Sequence, residues 1–207
     1  MWLLSAAIAA GIGLQAPAAP SQRPSTPAAP ASQDAKPLGW VLDDVSGEMT
    51  HESTGVRFPK GHGDLVRGNV TTGDDQGQDV SVTYGRPGGI YWATVYLYPR
   101  KLGGVPDPRN HFGGVLDEIE RLHDGAHQQQ ALEGELAVGG RRFHGYLAVY
   151  TYKTDGRPVA SLAVLVPVGE RFVKVRATRY LTGDAEGDGK DLLETTIDLL
   201  SIVQLEP

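Results

Sequence analysis

The sequence predicts an α+β domain: an antiparallel β-sheet flanked by two amphipathic helices. Three observations carry that prediction. Residues 38–207 consist mostly of short alternating apolar and polar runs, separated by glycine pairs and an Asp-Gly turn. Only two stretches, 111–124 and 189–203, switch to helical spacing. Several hairpin-linked strands precede each helix, whereas a doubly wound α/β fold alternates single strands with single helices.

Taken in order, the first extended runs are 39–43 and 55–58, the latter ended by Pro59. Residues 65–71 and 79–84 follow, joined by the loop Asp74-Asp75-Gln76-Gly77-Gln78. In the second run Val80, Val82 and Tyr84 share one face, with Ser81 and Thr83 on the other. Residues 90–98 are apolar or aromatic almost throughout, which predicts a strand covered on both faces. The period then changes. Phe112, Val115, Leu116, Ile119 and Leu122 fall on one helical face, and Asp107-Pro108 suits a helix start. Strands at 136–138, 142–153, 159–168 and 171–181 form a meander with turns at Gly139-Gly140, Asp155-Gly156 and Gly169-Glu170. In the last of these, Val173, Val175 and Ala177 face one way. Lys174, Arg176 and Thr178 face the other, toward water or a partner. A second helix carries Leu192, Leu193, Thr196, Ile197, Leu200 and Val203 as its stripe.

The N-terminal part reads differently. Residues 2–14 are an apolar run too short for a transmembrane helix, which needs about 20 residues. Its length suits the core of a secretory signal. The small-residue pattern Ala16-Pro17-Ala18 follows, although no Lys or Arg precedes the run. Residues 1–18 are therefore expected to be a signal peptide. In residues 15–37, 16 of 23 positions are Pro, Ala or Ser, so 19–37 are expected to be a disordered linker. One domain then spans 38–207, and the mature form would carry no transmembrane segment. The expected location is the periplasm or outside the cell.

Composition narrows function. The 207 residues include no cysteine, which excludes disulfides, thiolate metal sites and a thiol nucleophile. The formal net charge is -6, against the basic footprint a nucleic-acid binder needs. No Gly-x-Ser-x-Gly elbow, Ser-x-x-Lys pair or phosphate-binding glycine loop is present.

Two sets of candidate metal ligands stand out. His123 and His127, four apart at the end of the first helix, would share a face; the stretch resembles His-Glu-x-x-His with Asp124 in place of the glutamate. Asp184, Glu186 and Asp188, with Gly189 next, approach a calcium loop, although Thr195 occupies the position that needs a bidentate acid. Structural readings compete with both: a solvated helix end and an acidic cap on the last helix. No cofactor is predicted, with calcium as the one candidate. Aromatic residues crowd two strands, Tyr91, Trp92, Tyr96 and Tyr98 on one and Tyr146, Tyr150 and Tyr152 on the other. Core packing accounts for most of them, and the functional alternative is an aromatic cleft flanked by bases. Tyr146, Tyr150, Lys174 and Arg176 are the candidate partner-binding residues.

Three segments carry a family resemblance. Ser53-Thr54-Gly55-Val56-Arg57-Phe58-Pro59 resembles the opening strand of PsbP-like domains. Ala93–Pro99 and Phe172–Ala177 resemble strands of their exported bacterial relatives, the DcrB-like proteins. The resemblance implies an α/β/α sandwich around an antiparallel sheet, serving binding or assembly at or outside a membrane without catalysis. The expected function is thus a non-catalytic binding or assembly module of the bacterial cell envelope, with a protein or small envelope ligand as partner. A hydrolase or metal-dependent enzyme with a dispersed site is the alternative, and a weak calcium binder is the second.

Overall fold

The computed structural model describes residues 38–101 and 107–203; the signal and linker expected over 1–37 lie outside them. Three short strands, β1 (Trp40–Leu42), β2 (Met49–His51) and β3 (Arg57–Phe58), pair antiparallel in that order. The main sheet has eight antiparallel strands. These are β4 (Gly61–His62), β5 (Leu65–Thr72), β6 (Val80–Gly85), β7 (Tyr91–Pro99), β8 (His127–Val138), β9 (Arg141–Thr154), β10 (Arg157–Val168) and β11 (Arg171–Tyr180). Their spatial order is β4-β5-β6-β7-β11-β10-β9-β8. Helix α1 (Pro108–Leu122) follows β7 and helix α2 (Ala185–Ile202) closes the chain.

The local chemistry explains the punctuation. Between β9 and β10, Asp155 and Gly156 have φ of 51° and 74°, the left-handed pair that a tight hairpin turn requires. Helix α1 starts where Asp107 accepts a hydrogen bond from Asn110 N at 2.9 Å and Pro108 takes the first turn.

The predicted fold class is corrected. The protein is mostly β, an eight-stranded sheet plus a three-stranded one, with two helices, and not a helix-flanked α/β/α sandwich. The reason is breadth. Eight strands about 4.8 Å apart span about 34 Å, and a helix is about 10 Å across, so one helix cannot form a layer. On one face Leu192, Leu199 and Leu200 of α2 share the covering with Trp40, Met49 and Phe58 of the small sheet. Beneath them lie Val82, Val95, Val164 and Val175. On the other face Phe112, Val115 and Ile119 of α1 pack with Tyr146, Ala148, Tyr150, Ala163 and Leu165 of β9 and β10.

Helix α1 reaches the far end of β7, where Tyr98 is buried and its hydroxyl lies 2.7 Å from His111 Nε2; the rest of the half formed by β6 and β7 is less covered. There Ser81, Thr83, Trp92, Thr94 and Tyr96 are half-buried, while Val80, Val82, Tyr84, Ala93, Val95 and Leu97 on the opposite side are fully buried. Strand β7, expected to be covered on both faces, is therefore covered along its length on one. Among the described residues no helix is long and apolar enough to cross a membrane.

Candidate functional site

The open half-face is a grid set by strand register. Lys174 on β11 lies opposite Tyr96 on β7, which lies opposite Ser81 on β6. In the next row Arg176 faces Thr94, and Thr94 faces Thr83. Thr178 faces Trp92 in the third. Strand pleating alternates side chains between faces, so these groups all project to the side that α2 does not cover.

Lys174 places its Nζ over the Tyr96 ring, 4.2 Å from the centroid, and 5.9 Å from that of Tyr98. No carboxylate stands within 4.0 Å of it, and it makes no hydrogen bond among the described residues. Burial pushes its pKa down and Arg176 adds to that, while Glu118 and Asp79 act the other way. Arg176 reaches the seam beside α1, where it donates to His123 Nε2. The Trp92 ring is held against Tyr180 with centroids 5.3 Å apart. The Trp92 indole N–H and the hydroxyls of Thr94 and Tyr96 have no hydrogen-bond partner among the described residues, and none of the three is sealed from solvent.

Of the four predicted partner-binding residues, Lys174 and Arg176 thus border the open half-face. Tyr146 and Tyr150 lie under α1. Phe112 packs on the Tyr146 ring at 5.5 Å, and the Tyr146 hydroxyl points to Glu133. The Tyr150 hydroxyl donates to Gln128 Oε1 at 2.9 Å and faces Glu120 at 3.3 Å; burial pushes its pKa up to about 12. Trp92, Thr94 and Tyr96 are the site residues that sequence reading left out of the set. Their signal was the crowding of aromatics on β7 around Thr94, the one hydroxyl-bearing aliphatic side chain in the run.

The two candidate histidines lie on different elements. Helix α1 stops at Leu122, His123 is its C-cap, and Gly125 turns the chain at φ 72°. His127 opens β8, so the two imidazoles do not share a helix face. The His123 ring stacks on Tyr152 with centroids 4.2 Å apart. Burial and the neighbouring Arg176 cation lower its pKa.

The acidic stretch lies at the start of α2. Glu186 and Asp188 already belong to α2, so the three acids do not form a loop around a cation. Asp184 caps the helix by accepting from Gly187 N at 3.0 Å, and Glu186 is exposed. Asp188, 1% exposed, accepts from Thr182 N at 2.7 Å and Thr182 Oγ1 at 2.9 Å, and pairs with Arg179 at 2.6 Å. Asp191, one turn on, takes a bidentate pair from Arg86 at 2.6 and 2.8 Å. The acids therefore anchor α2 to β11 and to the β6–β7 turn. Among the described residues no group of three or more His, Asp or Glu side chains is placed to hold a metal ion.

No family model matches this chain, and no curated protein matches it, so the PsbP-like resemblance gains no support there. Among solved structures, a Pseudomonas aeruginosa protein of unknown function is similar at 12% identity and a TM-score of 0.39. The match covers 73% of this chain and 90% of that one.

Proposed function

We propose that this chain is an exported, non-catalytic binding module of the cell envelope, acting in the periplasm or outside the cell. Its recognition surface is the open half-face of the main sheet. One observation carries the reading: Lys174 and Arg176 stand two residues apart beside Trp92, Thr94 and Tyr96, with no carboxylate in ion-pair reach of either cation. By contrast, the buried Arg179 and Asp188 pair with each other, and the half-buried Arg86 pairs with Asp191. Exposing aromatic carbon and unpaired donors on a broad sheet suits recognition through packing and charge-assisted hydrogen bonds. Export rests on the apolar residues 2–14, the Ala16-Pro17-Ala18 pattern and the Pro/Ala-rich segment after it.

The two parts are tested separately. N-terminal sequencing of the protein from fractionated cells should find a chain that begins after Ala18; one that begins at Met1 overturns export. A photo-crosslinking residue at Thr94 should capture a partner in the envelope fraction, and the same residue at Asp155, on the β9–β10 turn, should not. Equal capture at both positions would overturn the assignment of the surface.

A further inference from the structure

We infer that the open half-face takes an oxygen-rich anion, an acidic saccharide carrying carboxylates. The inference rests on the reading that this face is the recognition surface, and it names the chemistry of what is recognised. The polar groups left without a protein partner there are the Lys174 ammonium, the Trp92 indole N–H and the hydroxyls of Thr94 and Tyr96. The first two only donate, and the hydroxyls can. A complementary ligand must therefore bring acceptors, and several of them.

Charge points the same way. The chain has a net charge of -6, yet Lys174 and Arg176 adjoin on one strand face. The acids that bias Lys174, Glu118 and Asp79, lie beyond ion-pair distance. Arg176 gives a donor to His123, and a guanidinium has five. A carboxylate over β11 meets two cations without displacing an existing ion pair.

The aromatic groups set the shape. Trp92 and Tyr96 are four residues apart on an extended strand, about 13 Å, with the small Thr94 between them. An elongated ligand with flat C–H faces spans that distance, and a compact inorganic anion reaches one cation pair and neither outer ring. Hydroxyl oxygens of a sugar would meet the donors of Thr94 and Tyr96. Its ring faces would pack on aromatic carbon.

Titration calorimetry with trigalacturonate, maltotriose and inorganic phosphate as separate probes tests this on the full chain. Trigalacturonate should bind at micromolar to millimolar concentration, more weakly as salt rises. Lys174→Met should weaken it about tenfold, the loss of one charge-assisted hydrogen bond. Trp92→Ala should weaken it as well, and far-UV circular dichroism of both variants checks that they fold. No trigalacturonate binding at millimolar concentration overturns the inference. So does maltotriose binding equally well, since charge then decides nothing, or phosphate binding equally well, since the rings then contribute nothing. If the crosslinker at Thr94 captures a partner while trigalacturonate does not bind, the saccharide assignment falls and the recognition surface stands.

Discussion

Arg176 donates a hydrogen bond to His123 Nε2, which ties the open sheet face to the C-terminal cap of α1. The bond requires a bare Nε2, so His123 is neutral with its proton on Nδ1. Protonation would set two cations against each other.

This contact makes stability fall in mild acid. His123 has its pKa lowered from the ordinary value of 6.5 by burial and by Arg176, and burial lowers those of His51 and His111 as well. A lowered folded pKa means that the unfolded chain binds more protons, so the stabilisation is complete above about 6.5 and is lost as pH falls through the folded value. The melting temperature should drop between pH 7 and pH 5. In His123→Gln, whose amide still accepts from Arg176 without titrating, the drop should be smaller. An identical pH profile in the variant would show that His123 does not titrate in this window.

The buried acid of α2 should be the most costly polar side chain to remove. Asp188→Ala strips Thr182 of two acceptors and leaves the Arg179 guanidinium short of a partner beneath the helix. Breaking such a pair costs about 3–5 kcal/mol. Urea unfolding should show that loss, and Glu186→Ala on the exposed side of the same turn should change stability by less than about 0.5 kcal/mol. Comparable losses in the two variants would mean that the ion pair is not what anchors α2.

Two glycines that face each other across β8 and β9 should respond oppositely. A Cβ on Gly145 would meet Leu136 Cδ1 at 2.8 Å and the Leu165 carbonyl oxygen at 3.0 Å, whereas one on Gly134 meets nothing within 4 Å. The carbonyl belongs to the sheet ladder and cannot withdraw. Gly145→Ala should cost about 1–3 kcal/mol. Gly134→Ala should be neutral or stabilise by up to about 1 kcal/mol, because it lowers the entropy of the unfolded chain. Chemical denaturation of the two variants compares them directly.

How much of this was legible follows from what each element buries. Strands β6 and β11 announce themselves because alternate residues enter the core, as Val80, Val82 and Tyr84 do, and β10 because its continuous apolar run is buried on both faces. Strand β8 does not: it pairs only with β9, at the sheet edge, and most of its residues from His127 to Glu135 are exposed, so no apolar period marks it. The small sheet was read in part: β1 and β3 fall in the runs 39–43 and 55–58, while β2 escapes for another reason. The strands of this sheet are two or three residues long, and Trp40 is buried by ring contacts with His51 and Phe58, which are distant in sequence. The layer architecture was misjudged because sheet breadth depends on how many strands pair, which local pattern does not encode. In the site, alternation on β11 placed Lys174 and Arg176 on an uncovered face. Tyr146 and Tyr150 alternate in the same way, and only the path of α1 determines that they are covered.

Lys174 should trade stability for binding. Its side chain is half-buried, its ammonium rests on the Tyr96 ring, and it has no ion-pair partner among the described residues. Burial lowers its pKa below the ordinary 10.5. The folded state therefore bears a desolvation cost for the ammonium that an isolated cation–π contact offsets only in part. Lys174→Met keeps the length and the aromatic contact without the charge. Its melting temperature should rise by about 2–4 °C, the equivalent of about 1 kcal/mol in a domain of this size. The gap between the two proteins should also narrow toward pH 10. There the wild-type lysine loses its proton more readily when folded, so alkali stabilises the wild type relative to the variant. A variant that is less stable than wild type at pH 7, or a gap that does not change with pH, would place Lys174 among the residues that hold the sheet together and remove it from the recognition surface.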